Sequence, residues 1–590
     1  MNKWDFSLVY QNEKDYLDDF NFVNESLTKL GEFKGKLNSK ENIKNYFILD
    51  EKVSAKLVKV YVYNAMKYDL NQKNTSSQAE FGKAFSLYMD YVSATSFVSS
   101  ELINNKLETL LSFTKEDDFL KNYDYYFNKT FTLKEHILDS KSEEIIANYQ
   151  NALQNYSNLY DALANADNFE KEVKLSDGTM LKVNEANYRY YLETLSNQED
   201  RRIVFESIFK YYEGHKNTFA GIYNGLILAG IAEMKNRKYD NILDVYLKTN
   251  KIPTSVYTSL IDTVRENVSV LHRYYELRKK YFKLDNLHTY DRFLKFASSN
   301  EEFSYDYSKE LFLKSVNSLS EEFVNKAKYV ISEGRIDVYP SDGKQTGAYS
   351  NGIYDCGPFI LLNHNNTLDA AFTLAHEAGH SIHTSFANEN QPLVKSDYPI
   401  FIAEIASTFN EQLFLDYLMK QDIDVKSKIV LLQSAIDGLI GTFYRQTLFA
   451  DYEYQAFNKK ISGETITYEL LSNIMKDLYK TYYGIDLNEE LYKEYVWAYI
   501  PHFFHTPFYV YQYATSFAAS LLIYENVKDN VPNAFENYLK LLKAGGSDFP
   551  VELVKKAGVD LTSKEPFLAV VKRLNDLLDM LEDTLKVYNK

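Results

Sequence analysis

Two histidines four positions apart, with a glutamate directly after the first, offer the clearest chemistry in this chain. His376, Glu377 and His380 stand in the order His-Glu-x-x-His. On a helix, the two histidines lie about 40° apart around the axis and roughly 6 Å apart along it, so their ring nitrogens can converge on one metal ion. Glu377 points about 100° away from His376 and can take a proton from a water molecule at that ion. The pattern predicts a catalytic zinc centre of the peptidase type.

The motif leaves this centre one protein ligand short, because a catalytic zinc site has three protein ligands and one open position. The metzincin continuation requires glycine at position 383 and histidine at 386, but the chain has His383 and Phe386. Glu404 lies on a second predicted helix, after a loop that contains two prolines. We therefore expect Glu404 to be the third ligand.

Other carboxylates compete for that role. Glu389 and Asp397 stand in the loop, and Glu411 lies on the same helix face as Glu404, about 10 Å further along. We expect Glu411 to contact a ligand without binding the metal.

Two more residues are close to the motif in sequence. His383 is one turn beyond His380 and is expected to pack or hydrogen-bond at the edge of the site. Asp369 precedes His376 by two turns and could orient a ligand imidazole. A carboxylate in the first turn of a helix also has a sufficient structural reason, so both explanations remain open.

The composition is that of a globular chain. Of the 590 residues, 45% are hydrophobic and 25% charged, and this length exceeds what one compact core usually supports. The single cysteine, Cys356, excludes a disulfide framework. The net charge of −16 argues against nucleic acid as a partner, because phosphate binding requires a basic face.

The location follows from signals that the sequence lacks. The first residues have no apolar core of a signal peptide, and the best apolar run, 517–524, is too short to cross a membrane. We expect a cytoplasmic protein with no membrane partner. The sequence leaves the oligomeric state open.

The proline distribution indicates how the chain is organised. No proline precedes Pro253, and apolar residues recur at three- and four-residue spacing in that region, which predicts helices. The exception is 173–183, where Asp177-Gly178 between alternating apolar residues predicts a β-hairpin. We expect an N-terminal helical domain over 1–195 and a catalytic metallopeptidase domain over 196–590.

A second irregular zone, 335–363, precedes the metal motif and is predicted to form short strands joined by turns. Such a sheet could hold an extended peptide by adding it as a strand, and Gly347 and Ala348 would allow close approach. An ordinary small sheet explains the pattern equally well.

Histidine and tyrosine residues cluster near two prolines in the last third of the chain. His502, His505, Tyr509 and Tyr513 are the members of interest, and a helix starting near Pro507 would place both tyrosines on one face. Peptide hydrolysis creates an oxyanion, which phenol or imidazole donors can stabilise. Aromatic packing is the alternative explanation for each of them, and the expected one for Tyr511.

These motifs together closely resemble the oligoendopeptidase F family, which is related to thimet oligopeptidase and the dipeptidyl carboxypeptidases. The segments that carry the resemblance are Gly347-Ala348-Tyr349, Pro358 to Asn363, Thr373 to His383, Ala403 to Thr408, His505 to Ala514, Ala544 to Ser547 and Lys556 to Gly558.

The resemblance implies a mainly α-helical, elongated ellipsoid with a deep central channel and a small β-sheet beside the zinc helix. Such a channel admits short unstructured peptides and excludes folded proteins. One Zn²⁺ would be held by His376, His380 and Glu404, with Glu377 as general base. The histidines and tyrosines of 502–513 would contact the reaction intermediate or the substrate, and Gly545 and Gly546 would lie near the substrate. His364 stands where the family has tyrosine.

The sequence therefore predicts a zinc-dependent endopeptidase that hydrolyses internal bonds of short oligopeptides. A zinc carboxypeptidase or dipeptidyl carboxypeptidase on the same scaffold is the alternative, and it would require a cationic pocket for the substrate's C-terminus. A peptide-binding protein with a vestigial motif is disfavoured, because Glu377 serves hydrolysis and not ligation.

Overall fold

The computed structural model describes residues 2–299 and 301–588 and is mostly helical, with 70% helix and 3% strand. The predicted fold class, mainly α with a small sheet beside the metal-motif helix, is confirmed. The helices and strands are given below in chain order.

The first 135 residues form α1 (Glu13–Gly31), α2 (Lys40–Leu70), α3 (Thr75–Thr95), α4 (Val98–Leu102), α5 (Leu107–Glu116) and α6 (Asp124–Thr132). Residues 136–299 contain α7 (Ser140–Asp161), a π-helical turn (Ala162–Ala166), β1 (Lys171–Lys174), β2 (Met180–Val183), α8 (Tyr188–Thr194), α9 (Gln198–Gly214), α10 (Lys216–Asn236), α11 (Ile242–Leu247), α12 (Thr254–Glu266) and α13 (Ser269–Tyr281).

Residues 301–421 contain α14 (Tyr305–Val316), α15 (Glu321–Val330), β3 (Ile336–Asp337), β4 (Tyr349–Ile353), β5 (Gly357–Leu361), α16 (Leu368–Asn390), α17 (Leu393–Ser396) and α18 (Ile400–Met419). The remainder forms α19 (Val425–Leu439), a π-helical turn (Ile440–Tyr444), α20 (Arg445–Ile461), α21 (Tyr468–Tyr483), α22 (Val496–Tyr499), α23 (His502–His505), α24 (Tyr511–Lys528), α25 (Ala534–Ala544), α26 (Pro550–Lys556) and α27 (Glu565–Tyr588). Short 3-10 turns occur at Phe6–Leu8, Leu120–Tyr123, Lys134–His136, Lys248–Asn250, Thr289–Asp291, Leu487–Glu489 and Lys493–Tyr495.

The predicted hairpin is present. Strands β1 and β2 pair antiparallel, with Lys171 opposite Val183 and Lys174 opposite Met180. Gly178 in the turn has a φ of +91°, which a residue with a side chain rarely adopts.

The irregular zone before the metal motif folds into a three-stranded sheet in the order β3-β5-β4. Strand β4 pairs antiparallel with β5, whereas the short β3 runs parallel to it. Strand β4 is thus an edge strand, and both β4 and β5 contact α16. The sheet supports the helix that carries the metal motif.

The chain folds into two compact units, and each unit consists of three separate stretches of sequence. The first unit consists of Met1–Glu135, Asn300–Gln421 and Ala519–Asp560, and the second of His136–Ser299, Asp422–Ala518 and Leu561–Lys590. The boundary that we expected near residue 195 lies inside the second unit, because β1, β2 and α8 all pack on α9, across that position. The structure therefore divides the chain differently from the predicted domains 1–195 and 196–590.

The core of the first unit joins residues that are far apart in sequence. Phe359 and Leu361 on β5 are fully buried against Trp4, Val60 and Met66. Burial of large apolar side chains is the main favourable term in folding. The sheet that supports α16 is therefore anchored to the N-terminal helices of the same unit.

Within the described residues, no helix combines the length and the apolar character that crossing a membrane would require.

Candidate metal centre

The metal motif lies on α16, and its helix packs closely against α18. Thr367 caps α16, and its side chain accepts a hydrogen bond from the Ala370 N–H. A Cβ on Gly379 would lie 2.6 Å from the carbonyl oxygen of Ala406 and 2.6 Å from the Cα of Ser407. The absence of a side chain at Gly379 thus lets the backbones of the two helices approach each other, next to the position of Glu404.

The close packing brings three predicted ligands together, all within the first unit. The Nε2 atoms of His376 and His380 are 3.2 Å apart, and the Glu404 Oε2 lies 3.4 Å from the first and 3.5 Å from the second. Two imidazole nitrogens and one carboxylate oxygen therefore form a nearly equilateral triangle.

This triangle matches the dimensions that zinc requires. Zinc bonds to nitrogen and oxygen at about 2.0–2.2 Å, and tetrahedral angles then place the donor atoms about 3.3–3.5 Å apart. Two histidines with one carboxylate are also a donor set of catalytic zinc sites, where the fourth position stays open. The residues present thus fit a zinc ion.

Two neighbours orient these side chains. His376 donates through Nδ1 to Oε1 of Glu411 at 2.6 Å, and the hydroxyl of Ser407 donates to Oε2 of Glu404 at 3.0 Å. Hydrogen bonds of this kind fix the ring orientation and the carboxylate position of metal ligands. Glu411 accordingly lies outside the triangle and hydrogen-bonds to His376, one of its three members.

Glu377 lies beside the triangle and is 7% exposed. Burial raises the pKa of its carboxyl group to about 7, an effect that Glu404 and Glu411 reinforce and a charged His376 opposes. Burial would lower the pKa of His376, but the carboxylate of Glu411 raises it to about 9. Burial and the charge of His376 lower the pKa of His380. Metal binding at this site therefore competes with a proton.

His383 and Glu389 lie outside the triangle, and Glu389 belongs to the last turn of α16 and not to the loop that follows it. His383 is 1% exposed and stacks on Tyr398, with 3.7 Å between the ring centroids, so it packs beside the site. Glu389 forms an ion pair with Lys326.

Asp369 lies in the first turn of α16, and the orienting partner of His376 is Glu411. This arrangement favours the structural explanation for Asp369 over a role in orienting an imidazole.

Gly347 and Ala348 lead into the edge strand β4 and line a cavity of about 200 Å³. Its other lining residues are Leu362, Asn363, His364, Asn365, Asp369, Ala370 and Thr373. Gly347 has a φ of +83°, and its carbonyl oxygen accepts a hydrogen bond from the Asn363 side chain at 2.8 Å. The segment is therefore held in a defined conformation beside the first two turns of α16.

Gly545 and Gly546 pack against the loop between α16 and α18. Gly546 donates through its N–H to the carbonyl oxygen of Lys395 at 2.8 Å, and a Cβ at Gly546 would overlap the carbonyl oxygen of Asp397. Gly545 has a φ of +51° and faces the same backbone. The two glycines thus contact the loop that leads to the helix of Glu404.

The histidines and tyrosines of 502–513 form a cluster in the second unit. The ring centroid of His502 lies 6.3 Å from that of Tyr509 and 6.1 Å from that of Tyr513, and the two tyrosine rings are 5.6 Å apart. His505 pairs with Asp161 at 3.0 Å. Tyr511 is 2% exposed and packs on Tyr257, as expected for a structural residue.

The helix expected to begin near Pro507 begins at Tyr511 instead. Phe508 has a φ of +56°, which is incompatible with a helix, and its N–H donates at 2.8 Å to the buried side chain of Glu453. Tyr509 therefore precedes α24, although it still lies beside Tyr513.

Two residues that contribute to the site, Ser407 and Gly379, were not predicted from the sequence. A serine three residues after a helical glutamate lies on the same helix face, which is a usable signal for Ser407. A glycine in mid-helix, where alanine would be more stable, signals close packing at Gly379.

The fold and the site define a helical metallopeptidase, and comparisons with known proteins agree. The profile of peptidase family M3 matches residues 191–573, and that of oligopeptidase F matches residues 101–169. The chain is 34% identical to oligopeptidase PepF of Bacillus subtilis, over 99% of this chain and 87% of that protein.

Solved structures resemble it along nearly the whole chain. A crystal structure of a protein from Chlamydophila abortus has a TM-score of 0.90 at 30% identity, covering 99% of this chain and 98% of the other. Oligoendopeptidase-F from Enterococcus faecium has a TM-score of 0.75 at 28% identity, covering 97% and 99%. The chain belongs to peptidase family M3, and the predicted family relationship is confirmed.

Proposed function

We propose that this protein is a zinc-dependent endopeptidase that hydrolyses internal bonds of short, unstructured oligopeptides. The observation that carries the proposal is the donor triangle of His376, His380 and Glu404 with the buried carboxyl group of Glu377 beside it. Membership of family M3 supports a peptidase, and the relatives named for oligopeptides support that substrate class.

The reaction divides between the metal and the side chains around it. When bound by His376, His380 and Glu404, zinc supplies Lewis acidity to the attacking water and the scissile carbonyl. Glu377 takes the proton of the water and delivers it to the leaving amine. Its buried position supports this role, because a carboxyl group with a raised pKa can both accept and return a proton near neutral pH.

The first unit also supports a mode of substrate binding. Strand β4 is at the edge of its sheet, and Gly347 and Ala348 line the cavity next to it. A peptide that adds to this edge would be held mainly through its backbone, which leaves the choice of side chains loose and requires an unfolded segment. The enclosing channel that the resemblance implies stays a prediction.

The histidines and tyrosines of 502–513 are the residues that the resemblance offers as oxyanion donors. We propose Tyr509, Tyr513 and His505 as donors to the developing oxyanion, with His502 as their packing partner. The ring contacts of His502 with both tyrosines support this role, because donors must be held in place before the charge develops.

Internally quenched peptides with both ends blocked test this function. The zinc-loaded protein should cleave them internally, and Glu377→Gln should lower kcat by about 10²- to 10⁴-fold while zinc content stays unchanged. Glu389→Gln, at an exposed ion pair with Lys326, is the matched control and should retain activity. Undiminished cleavage by Glu377→Gln would rule out the assigned base, and cleavage only of peptides with a free C-terminus would favour a carboxypeptidase.

A further inference from the structure

A fully buried glutamate in the second unit contacts the turn that carries Tyr509. Glu453 lies on α20, is 0% exposed, and accepts a hydrogen bond at 2.8 Å from the backbone N–H of Phe508. All three residues belong to the same compact unit. Burying a carboxyl group is costly, so its position in an apolar interior requires an explanation beyond packing.

The hydrogen bond holds a backbone conformation that Phe508 would not adopt by itself. Its φ of +56° lies in the left-handed region, which large residues rarely occupy. Its ring is buried among aromatic rings of α11, α12 and α20, and the ring centroids of Tyr246, Tyr257 and Phe457 lie 4.8, 5.8 and 4.9 Å away. A rare backbone conformation persists only where its surroundings over-determine it, and such positions cluster at functional sites.

The conformation of Phe508 decides where Tyr509 lies. The N–H of Tyr509 donates to the carbonyl oxygen of Thr506 at 3.2 Å, and its own carbonyl oxygen accepts from the N–H of Gln512 at 3.1 Å. Phe508 and Tyr511 are buried on either side, whereas Tyr509 is partly exposed. The turn therefore presents one phenol ring between buried neighbours.

Capping of α24 does not explain the contact from Glu453. The helix begins at Tyr511, three residues after Phe508, so the Phe508 N–H lies outside the group of N–H donors that a helix start leaves unpaired. The Oε2 atom of Glu453 is buried and has no hydrogen-bond partner in the part of the chain that the structure describes. Glu453 thus acts through one oxygen, on the N–H of one residue.

The protonation state of Glu453 agrees with this single contact. Burial raises the pKa of its carboxyl group well above the usual range, although the Phe508 N–H opposes that effect. The group is therefore a neutral acid at neutral pH, and its carbonyl oxygen remains the acceptor.

We propose that Glu453 is a positioning residue, which holds the Phe508 N–H and thereby places the phenol of Tyr509 for the oxyanion that forms during peptide hydrolysis. The inference rests on the proposed function, in which Tyr509 is an oxyanion donor. A donor that is held in place beforehand stabilises the transition state without reorganising during the reaction. Because Glu453 has no exposed surface, it acts through Tyr509 and not on the substrate.

Steady-state kinetics of the zinc-loaded protein on blocked, internally quenched peptides test this role. Glu453→Leu should lower kcat about 10- to 100-fold, the cost of misplacing a group by about 1 Å. KM should stay nearly unchanged, because the lost interaction forms only in the transition state. Glu453→Gln keeps an acceptor oxygen at the same position and should restore most of the activity.

A matched control comes from the same helix. Asp451 is also a buried carboxyl group on α20, but it pairs with Arg265 and accepts a hydrogen bond from Tyr482. Asp451→Asn should therefore retain kcat. Glu453→Met also lacks the acceptor, fills the volume with a flexible side chain, and replaces Glu453→Leu if that variant melts below the assay temperature.

A double-mutant cycle separates positioning from a general effect on the fold. If Glu453 acts through Tyr509, Glu453→Leu should cost little further activity in a protein that already carries Tyr509→Phe. Losses that multiply in the double variant would overturn the proposal, and so would a Glu453→Leu variant with full kcat. Full activity of Tyr509→Phe alone would refute the donor assignment on which the proposal rests.

Fluorine NMR of fluorotyrosine incorporated at position 509 measures positioning apart from catalysis. Glu453→Gln should keep the resonance of the unchanged protein, whereas Glu453→Leu should shift or broaden it. An unchanged resonance in Glu453→Leu overturns the proposal at any level of activity. A shifted resonance in a protein that cleaves no blocked peptide would refute the endopeptidase function and leave the positioning of Tyr509 by Glu453 intact.

Discussion

At the scale of single residues, the site separates groups that can bind a metal from groups that orient them. Glu404 offers a carboxylate oxygen at 3.4 and 3.5 Å from the two imidazole nitrogens, whereas Glu411 reaches only the Nδ1 of His376. The two glutamates lie on one helix, so their different roles follow from which histidine atom each one faces.

This difference predicts unequal effects on zinc affinity. Glu404→Ala should abolish stoichiometric zinc binding, because it removes one of three ligands. Glu411→Gln should weaken zinc binding about 10- to 100-fold, the usual cost of losing a partner of a ligand histidine. Competition with a chromogenic chelator measures both affinities. Equal losses in the two variants would contradict the assignment of Glu404 as a ligand and Glu411 as its support.

Stability should depend on pH through His288. A hydrogen bond with Glu490 raises the pKa of His288, and burial opposes that effect. Because the pKa of His288 is higher in the folded state than in the unfolded state, its protonation stabilises the fold. This contribution is complete below the unfolded-state pKa of about 6.5, and it is lost as the pH rises through the folded-state pKa.

The change in unfolding free energy caused by His288→Gln should therefore be larger at pH 6 than at pH 9. Urea denaturation of both proteins at the two pH values measures it. His272→Gln is the control and should show no such trend, because the imidazole of His272 forms its hydrogen bond with the carbonyl oxygen of Thr481 and not with a carboxylate. A larger effect at pH 9 would refute the assigned ion pair.

At the scale of elements, the crossing of α16 and α18 decides the geometry of the centre. Gly379 stands between His376 and His380 in the sequence of α16, and it faces the backbone of Ala406 and Ser407 on α18. A larger residue there must push the helices apart, and with them the ligands on each helix.

Gly379→Ala should destabilise the protein by about 1–3 kcal/mol, as overpacking does, and should weaken zinc binding in the same variant. Gly221→Ala is the matched control, since Gly221 lies within α10 with open space around it and should gain about 0.5–1 kcal/mol. Thermal melts and zinc titrations compare the two. A stabilised Gly379→Ala variant would show that the helices are not in contact at this point.

At the scale of the whole molecule, sequence order and compact units do not coincide. The first unit needs residues from three stretches, and its core packs Trp4, Val60 and Met66 on β5. A cut near residue 195 would separate these residues from the sheet that supports α16.

The fragments 1–195 and 196–590 should consequently fail to fold when produced separately. Each fragment would expose apolar core that only the other can cover, so we expect aggregation or a non-cooperative melt. Circular dichroism melts and zinc binding of each purified fragment test this expectation. A cooperative melt with zinc binding by 196–590 alone would support the domain boundary predicted from the sequence.

Local patterns explain what could be predicted from the sequence. The spacing of His376 and His380 on a helix, the hairpin at Asp177-Gly178 and the short strands before α16 all depend on residues close in the chain. The structure forms each of these elements, because backbone preferences and hydrogen bonds within a few residues are sufficient to form them.

Which helices and strands pack together depends on contacts between residues that are far apart in the sequence. The hydrogen bond from Ser407 to Glu404 and the late start of α24 result from how the helices pack. The periodicity of apolar residues does not indicate which helix face packs against which distant element of the chain.

By itself, the sequence determined the family, the helical class and the residue types of the metal centre, because these depend on a helix turn and on the chemistry of imidazole and carboxylate groups. Only the tertiary structure decided that Glu411 orients His376, that Gly379 allows the helices to approach, and that each compact unit is assembled from three stretches of chain. These features arise from close packing and desolvation, which act between residues that are neighbours in space and not in sequence.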